Sequence, residues 1–278
     1  MKRRAFLKTS ALGIGALSTL SLPLDLYAKD KGLQKLTILH TNDMHSWIEP
    51  YTKGDHKGKG GMAQRAALIK KIRSEEENIL LLDAGDIFQG TPYFNFFGGE
   101  LEYKLMSQMG YDAATLGNHD FDNGLEGLNK MLPHAEFPFI NANYDFSQTI
   151  LKDKFQSYKI FQKGKLKIGV FGVGVEPAGL ISPKLIGDTI WSNPIEKAQF
   201  LAKKLKEEEK CHLVICLSHL GFEYKSDKIS DRVLARNVDN LDFIIGGHTH
   251  TFLEKPVVEK SPSGNEVLIN QVGWAGIN

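Results

Sequence analysis

The sequence has few cysteines, almost no excess charge and no long apolar run. Of its 278 residues only 2 are cysteine and 10 are proline, which argues against a disulfide scaffold or a low-complexity chain. The 34 Lys and Arg nearly balance the 33 Asp and Glu, so a nucleic-acid polymer held by bulk positive charge is not an expected partner. Because no apolar stretch is long enough to cross a bilayer, no membrane span is expected either.

The two cysteines, Cys211 and Cys216, fall within one strand-like segment. They are five residues apart, and side chains at an odd separation point to opposite faces of a strand. This geometry argues against a disulfide between them. We therefore expect both to be free, buried thiols.

The N-terminus has the pattern of an export signal. A basic head containing Arg3 and Arg4 precedes a short apolar run, and Ala28 is a small residue suited to cleavage. The adjacent arginines resemble the twin-arginine signal, with an ordinary secretory signal or a basic amphipathic start as alternatives. The prediction is a twin-arginine export signal over residues 1–28, a mature chain over 29–278, and a periplasmic or extracellular location.

Strand-like apolar runs alternate with helical patterns along the rest of the chain. This alternation predicts an α/β fold in which layered, mixed β-sheets are flanked by helices, in a single domain. A hairpin over 158–170 makes the sheets mixed. The predicted strands cover 35–40, 79–83, 112–116, 138–141, 165–173, 212–217, 241–246 and 267–270. The predicted helices cover 62–77, 101–109, 125–131, 194–209 and 227–238, and 51–61 is expected to be an exposed, mobile loop.

Polar residues follow five of these strands at their carboxyl ends. Ligands of open α/β sheets bind beyond the carboxyl ends of the strands, so we expect these segments to converge on one edge. The residues are Asp43, His45, Asp86, Asn118, His119, His219, His248 and His250. With His119 set aside, the set contains two Asp, four His and one Asn, and no Cys. Such nitrogen and oxygen ligands suit divalent metal ions. The other histidines are expected to be structural: His40, His56, His134 and His212.

At these residues the chain resembles the calcineurin-like metallophosphoesterase superfamily. The pattern of that superfamily reads Asp-x-His, Gly-Asp, Gly-Asn-His-(Asp/Glu), His and Gly-His-x-His. The matching blocks are Asp43–His45, Gly85-Asp86, Gly117–Asp120, His219 and Gly247–His250. The segments 39–45 and 118–124 are similar to the 5′-nucleotidase branch. The resemblance covers 33–278 and implies the α/β/β/α sandwich of that superfamily.

The resemblance also implies two divalent metal ions, with Zn²⁺ or Mn²⁺ expected. The first ion would be held by Asp43, His45, Asp86 and His250. The second would be held by Asp86, Asn118, His219 and His248. A metal-bridged hydroxide would attack phosphorus, while His119 assists the leaving group and Asp122 orients His119. Asp120 is expected to support the ligands or to be structural.

The activity implied by the resemblance is hydrolysis of small phosphate esters, with nucleotides as the expected substrate. Full-length 5′-nucleotidases carry a C-terminal nucleotide-binding domain, which is expected to be absent here or supplied by a separate chain. One alternative is therefore the catalytic half of a two-chain nucleotidase. Others are a relative that cleaves cyclic nucleotides, nucleotide sugars or a sulfur-linked group, and a non-catalytic subunit that binds metal or a partner.

Overall fold

A computed structural model describes residues 34–277, so the export signal predicted over 1–28 lies outside the described residues. The strands are β1 (Thr37–Thr41), β2 (Ile79–Asp83), β3 (Ala113–Ala114), β4 (Tyr144–Asp145), β5 (Tyr158–Lys163), β6 (Leu166–Gly174), β7 (Ile190–Trp191), β8 (Leu213–His219), β9 (Phe243–Gly246), β10 (Val257–Lys260) and β11 (Glu266–Asn270). The α-helices are α1 (Met62–Glu75), α2 (Pro92–Phe97), α3 (Glu100–Met109), α4 (Gly124–Met131), α5 (Pro183–Ile186), α6 (Pro194–Lys203) and α7 (Asp231–Asn237). Short 3₁₀ turns cover His119–Phe121 and Leu132–His134, and a π-helical turn over Lys204–Glu208 extends α6.

Two sheets form the centre of the described chain. The first has the order β1-β2-β3 and is parallel throughout. The second has the order β10-β11-β9-β8-β6-β5. Its four inner strands are parallel, while β10 and β5 join at the two edges in the antiparallel sense. Strands buried on both faces read as continuous apolar runs, which is why β2, β6 and β8 stood out in the sequence.

The alternation of side chains along the strands defines four layers. Leu81 of β2 belongs to an apolar cluster that contains Met106 of α3 and residues of α4. Its neighbour Leu82 faces the other way and shares a cluster with Val170 of β6, between the two sheets. On the far side, Phe171 packs with residues of α6 and α7. The order helix, sheet, sheet, helix confirms the predicted layered α/β fold.

Several helices begin where a side chain caps the first backbone N–H groups. The Asn193 side chain accepts from Ile195 N before α6, and Ser230 accepts from Val233 N before α7. Such caps satisfy N–H groups that have no partner inside the helix. The sequence pattern predicted that this helix starts at 227. The cap at Ser230 explains why α7 starts only after Ser230.

The strand predicted over 138–141 is wrong. Phe139 and Ile140 form only isolated bridges, to Ala114 and to Gln156 respectively. The segment divides its hydrogen bonds between two neighbours, and Pro138 has no N–H to offer to a ladder. The short elements β4, β7, β10, α2 and α5 were not predicted, because segments of two to six residues carry too little periodicity.

The expectation of free, buried thiols is confirmed, although Cys211 lies before β8 and not in the same strand as Cys216. Cys211 and Cys216 are both buried and both free. Burial raises the pKa of each thiol, which makes them poor nucleophiles. In the part of the chain described, no helix combines the length and the apolar character needed to cross a membrane.

The sheets approach each other closely at Gly172 of β6. A Cβ at this position would overlap the carbonyl oxygen of Ile140 and crowd the hydroxyl of Thr115. The carbonyl of Gly172 itself accepts a hydrogen bond from Ala142 N at 2.8 Å. Glycine is therefore required here by space, since backbone atoms cannot move aside as a flexible side chain would.

Replacing Gly172 with alanine is expected to lower the free energy of unfolding by about 1–3 kcal/mol or more, because the added methyl group forces the backbone apart. Urea denaturation followed by circular dichroism measures the change. Gly90→Ala is the matched control, since no atom beyond its chain neighbours lies within 4 Å of the added carbon. Equal stability of the two variants would contradict the close approach.

Candidate metal centre

The structure brings most of the predicted ligands together at one edge of the two sheets. Asp43, His45 and His250 form one group, and a second group contains Asp86, His219 and His248. Within each group, one possible ligand atom from every residue lies within 4.8 Å of the others. The groups adjoin, because His219 Nε2 lies 3.9 Å from Asp43 Oδ1. The segments that follow separate strands therefore converge, as their placement in the sequence predicted.

The turns that carry these residues have an unusual backbone. Five of the six residues in the two groups adopt positive φ angles. The sixth, His219, lies inside β8 and has an ordinary strand conformation. The angles are 50° at Asp43, 47° at His45, 56° at Asp86, 76° at His248 and 53° at His250. Non-glycine residues rarely adopt this left-handed conformation, and it persists only where the surroundings enforce it. Such strain is typical of functional sites.

Backbone hydrogen bonds enforce the turns after β1 and β2. Asp43 N donates to Gly85 O at 2.9 Å, and His45 N donates to Asp86 O at 3.0 Å. These bonds continue the pairing of β1 with β2 beyond the ends of the strands. The carboxylate of Asp43 in turn accepts from the backbone N–H of His248 at 2.9 Å. Residues of one group thus hold residues of the other.

Hydrogen bonds to carbonyl groups set the tautomer of two histidines. His219 Nδ1 lies 2.7 Å from Ala84 O, and His45 Nδ1 lies 3.3 Å from Phe88 O. Because a carbonyl can only accept, each Nδ1 carries a proton, which leaves Nε2 as the nitrogen that could bind a metal. His45 Nε2 lies 2.9 Å from His250 Nε2, so these nitrogens aim at one point. Histidines that bind metals commonly have this outer support.

Two buried polar atoms at this edge have no hydrogen-bond partner among the described residues: His219 Nε2 and Asn118 Oδ1. His219 Nε2 lies 3.1 Å from Asp86 Oδ2 without forming a hydrogen bond to it. An unsatisfied buried polar atom costs about 1–3 kcal/mol. Divalent cations would satisfy both atoms, and a set of nitrogen and oxygen ligands without thiolate suits them. The residues therefore fit a pair of divalent metal ions.

The charges in the second group are strongly coupled. Burial alone would raise the pKa of the Asp86 carboxyl, but the facing His219 outweighs burial and holds that pKa below its usual range. Burial would lower the pKa of His219, but the negative charge of Asp86 raises it to about 10. Burial lowers the pKa of His248 to about 4, which keeps this ring neutral. Metal binding at His219 would have to displace a proton.

Asp120 ties two of the ligand loops together. Its Oδ2 accepts from Asp86 N at 3.1 Å and from Gly117 N at 2.8 Å. Its Oδ1 accepts from Ile87 N at 3.0 Å and from Phe88 N at 3.3 Å. The side chain is 1% exposed, so water does not compete for these bonds. Asp120 thereby fixes the loop after β2 against the loop after β3.

His119 lies beside the two groups and contacts three side chains. Its Nδ1 is 3.1 Å from Asp122 Oδ2, and its ring centre is 5.4 Å from that of His45. The hydrogen bond to Asp122 raises the pKa of His119 above its ordinary value, against the effect of burial. On its other side, His119 Nε2 lies 3.1 Å from Gln89 Nε2. The backbone N–H of His119 donates to Asp86 Oδ1 at 2.7 Å, which places the neighbouring Asn118 next to that carboxylate.

Sequence reasoning assigned no role to two glutamines at this edge. Gln89 contacts His119, and Gln271 hydrogen-bonds the loop that carries His248 and His250. Gln271 follows β11 directly, so its place after a strand was the signal that could have found it. Of the described residues, the histidines expected to be structural join neither group: His40, His56, His134 and His212.

Comparison with known proteins agrees with this geometry. A layered sandwich with Asp, His and Asn at one sheet edge defines a metallophosphoesterase. Residues 36–252 match the calcineurin-like phosphoesterase model, and the chain belongs to this family. The resemblance noted in the sequence is thereby confirmed.

Two curated relatives are 5′-nucleotidases. The chain is 38% identical to the 5′-nucleotidase of Vibrio vulnificus, over 95% of this chain and 48% of that protein. It is 36% identical to the snake venom 5′-nucleotidase of Gloydius brevicauda, over 86% of this chain and 43% of that protein. The chain thus spans about half the length of the curated relatives that it matches.

Solved structures extend the similarity to the fold. The NAD nucleotidase of Haemophilus influenzae matches with a TM-score of 0.78 and 31% identity, over 87% of this chain and 45% of that chain. The 5′-nucleotidase precursor of Thermus thermophilus matches with a TM-score of 0.77 and 34% identity, over 87% and 49% respectively. The chain is therefore 5′-nucleotidase-like in sequence and in fold.

Replacing Asp120 with asparagine is expected to destabilise the protein, because the amide would turn its own N–H groups toward backbone donors. Each N–H left without an acceptor costs about 1–3 kcal/mol. Urea denaturation and elemental analysis of bound metal measure stability and metal retention, and both are expected to fall. Asp55→Asn, on an exposed loop, is the control. Equal behaviour of the two variants would contradict the role of Asp120.

Proposed function

We propose that this protein is a two-metal hydrolase of phosphate esters, of the 5′-nucleotidase type, with nucleotides as substrates. The observation that carries the proposal is the pair of adjoining ligand groups with His119 beside them. Membership of the calcineurin-like phosphoesterase family and similarity to proteins named 5′-nucleotidase support it. The similarity of the fold to an NAD nucleotidase also favours a nucleotide substrate.

The proposed ligand sets follow the two groups, and Asp86 is proposed to bridge them. The first set is Asp43, His45, Asp86 and His250. The second set is Asp86, Asn118, His219 and His248. We propose Zn²⁺ or Mn²⁺ as the bound ions. When bound, two such ions would polarise the phosphate, supply a nucleophile at neutral pH and stabilise an in-line displacement.

The charge of the ligands explains how a phosphate ester would be attracted. Only Asp43 and Asp86 are acidic, while the remaining proposed ligands are neutral side chains. Two carboxylates offset half of the charge of two divalent ions, so the centre keeps a positive charge. A dianionic phosphate would therefore be drawn to the centre itself, without a basic surface around it.

His119 is the proposed general acid for the leaving group. Asp122 holds Nδ1 and favours the protonated ring, so Nε2 can donate a proton to the departing oxygen. Gln89 lies on the Nε2 side, which marks the side from which that oxygen would approach. General acid catalysis of this kind contributes about 10²–10⁴-fold to the rate.

The remaining parts of the proposal concern the chain as a whole. Residues 1–28 are proposed to be a twin-arginine export signal and 29–278 the catalytic domain, which places the protein in the periplasm or outside the cell. A separate chain that supplies a nucleotide-binding domain is the proposed partner of this catalytic domain. Assay of the protein with and without such a partner tests this part.

Exhaustive chelation is expected to abolish hydrolysis of a nucleoside monophosphate, and Zn²⁺ or Mn²⁺ is expected to restore it. Phosphate release measures the rate, and elemental analysis should show two ions for each chain. The Asp86→Asn variant is the matched control, because it loses the proposed bridging carboxylate and should not be restored. Activity that survives chelation would contradict the two-metal mechanism. Hydrolysis confined to cyclic nucleotides or nucleotide sugars would show that these compounds, and not nucleoside monophosphates, are the substrates.

His119→Ala is expected to lower turnover by about 10²–10⁴-fold while bound metal stays unchanged, because His119 is a proposed acid and not a ligand. His134→Ala is the matched control, since the two side chains are 32% and 30% exposed. Loss of metal from His119→Ala would contradict the assignment of its role.

Asp122→Asn extends the same test to pH. Since Asp122 raises the pKa of His119, the substitution should lower that pKa. A general acid works while it is protonated, and its contribution is lost as the pH rises through its pKa. The alkaline limb of the rate profile should therefore move to lower pH, whereas an unmoved limb would contradict the pairing.

A further inference from the structure

Gln271 lies directly after β11, with its side chain turned toward the loop between β9 and β10. It is 0% exposed, although it carries an amide that must be hydrogen-bonded when buried. The loop that it faces carries His248 and His250, one from each ligand group. Gln271 itself belongs to neither group and lies beyond the segment 36–252 matched to the family.

The amide of Gln271 holds this loop at both ends. Its Nε2 donates to Gly247 O at 2.6 Å, immediately before His248. Its Oε1 accepts from the backbone N–H of Thr251, immediately after His250, and from the hydroxyl of Thr249 at 3.1 Å. Gly247 O can only accept and Thr251 N can only donate, so the orientation of the amide is fixed. One side chain therefore spans the loop.

The loop needs such support because its backbone is strained. His248 has a φ of 76° and His250 a φ of 53°, both in the left-handed region. Each such residue costs of order 1 kcal/mol or more unless neighbouring contacts enforce it. Within the loop, Thr249 N donates to Gly247 O at 3.0 Å, which alone does not fix either histidine ring. Asp43 accepts from His248 N, Gly273 N donates to Thr251 O at 3.0 Å, and the Gln271 side chain supplies hydrogen bonds at both ends of the loop.

The residues that follow Gln271 reach the other ligand loop. Asn42 Nδ2 donates to Gly273 O at 2.6 Å, and Ala275 N donates to Asp43 O at 2.8 Å. The ring of Trp274 stacks on His250, with the centres 5.5 Å apart and the planes 8° from parallel. The segment from Gln271 to Ala275 thus contacts the turns that carry both groups.

We propose that Gln271 is a positioning residue that sets the affinity of the protein for both metal ions. Gln271 acts by holding the loop that carries His248 and His250. Because these two histidines belong to different ligand sets, a change in the loop affects both sites. The inference rests on the proposed function, which supplies the two ions. Its specific consequence is that one substitution, outside both ligand sets, weakens both sites together.

The test is Gln271→Met, which removes the amide and keeps a side chain of similar length. Titration with Zn²⁺ against a chromophoric chelator should show both affinities lowered about 10–100-fold, the usual effect of losing outer support to a ligand. The visible spectrum of the Co²⁺-loaded protein should also change, since it reports the geometry of the histidine ligands. Gln199→Met is the matched control, because Gln199 Oε1 accepts from Asp239 N at 3.0 Å in a turn that carries no ligand.

The outcomes separate this inference from the function on which it rests. If the wild type binds two ions and Gln271→Met binds them equally well, the role of Gln271 is overturned and the function stands. Weakening of only one site also overturns it, because the loop carries a ligand of each. A wild type that binds no ion would overturn the proposed function and this inference together.

A second measurement needs no variant and covers the case in which Gln271→Met does not fold. Amide hydrogen exchange is followed in the wild type before and after chelation. Since the glutamine holds Thr251 N–H, this amide should stay protected when the ions are removed. Free exchange of Thr251 after chelation would show that the ions hold the loop, which overturns the proposal.

Discussion

The structure of the candidate site depends above all on one buried carboxylate. Asp120 accepts four backbone N–H groups and so locks the loop after β2 to the loop after β3. Burial and the nearby Asp86 raise the pKa of this carboxyl to about 7. In its ionised form, its hydrogen bonds are worth roughly twice those between neutral groups. Because Asp86, Asn118 and His119 all lie on these two loops, their relative positions are set before any ligand contributes.

The other strained turns of the site are also held by contacts from neighbouring segments. The left-handed residues Asp43 and His45 are held by backbone bonds to the loop after β2. His248 and His250 are held by the side chain of Gln271. Each strained turn has a separate support, and every support is itself buried. The residues that would bind ions are thus placed by one another and by neighbours outside the two groups, such as Asp120 and Gln271.

The sequence predicted the layers and the main ligands, for physical reasons that also explain its failures. Buried strands such as β2 read as apolar runs, and the Asp, His and Asn residues after them carry an evident metal-binding signal. Pro138 and its neighbours read as a strand because periodicity cannot show that a segment divides its bonds between two partners. Gln89 and Gln271 were assigned no role because a neutral amide has neither charge nor metal-ligand spacing. The left-handed backbone conformation of Asp43 and His248 could not be predicted either, because it is enforced by contacts with residues distant in sequence.

The position of the site across two sheets connects its geometry to the core. Asp43, Asp86 and Asn118 follow strands of the first sheet, whereas His219 ends β8 and His248 follows β9 of the second. Each ligand group therefore combines residues of both sheets, and its geometry depends on the distance between two packed sheets at their carboxyl edges. Protein cores resist compression, so a close contact such as that at Gly172 keeps this spacing constant. A centre for two ions needs such a constant spacing, and the packing between the sheets supplies it without any residue of the site itself.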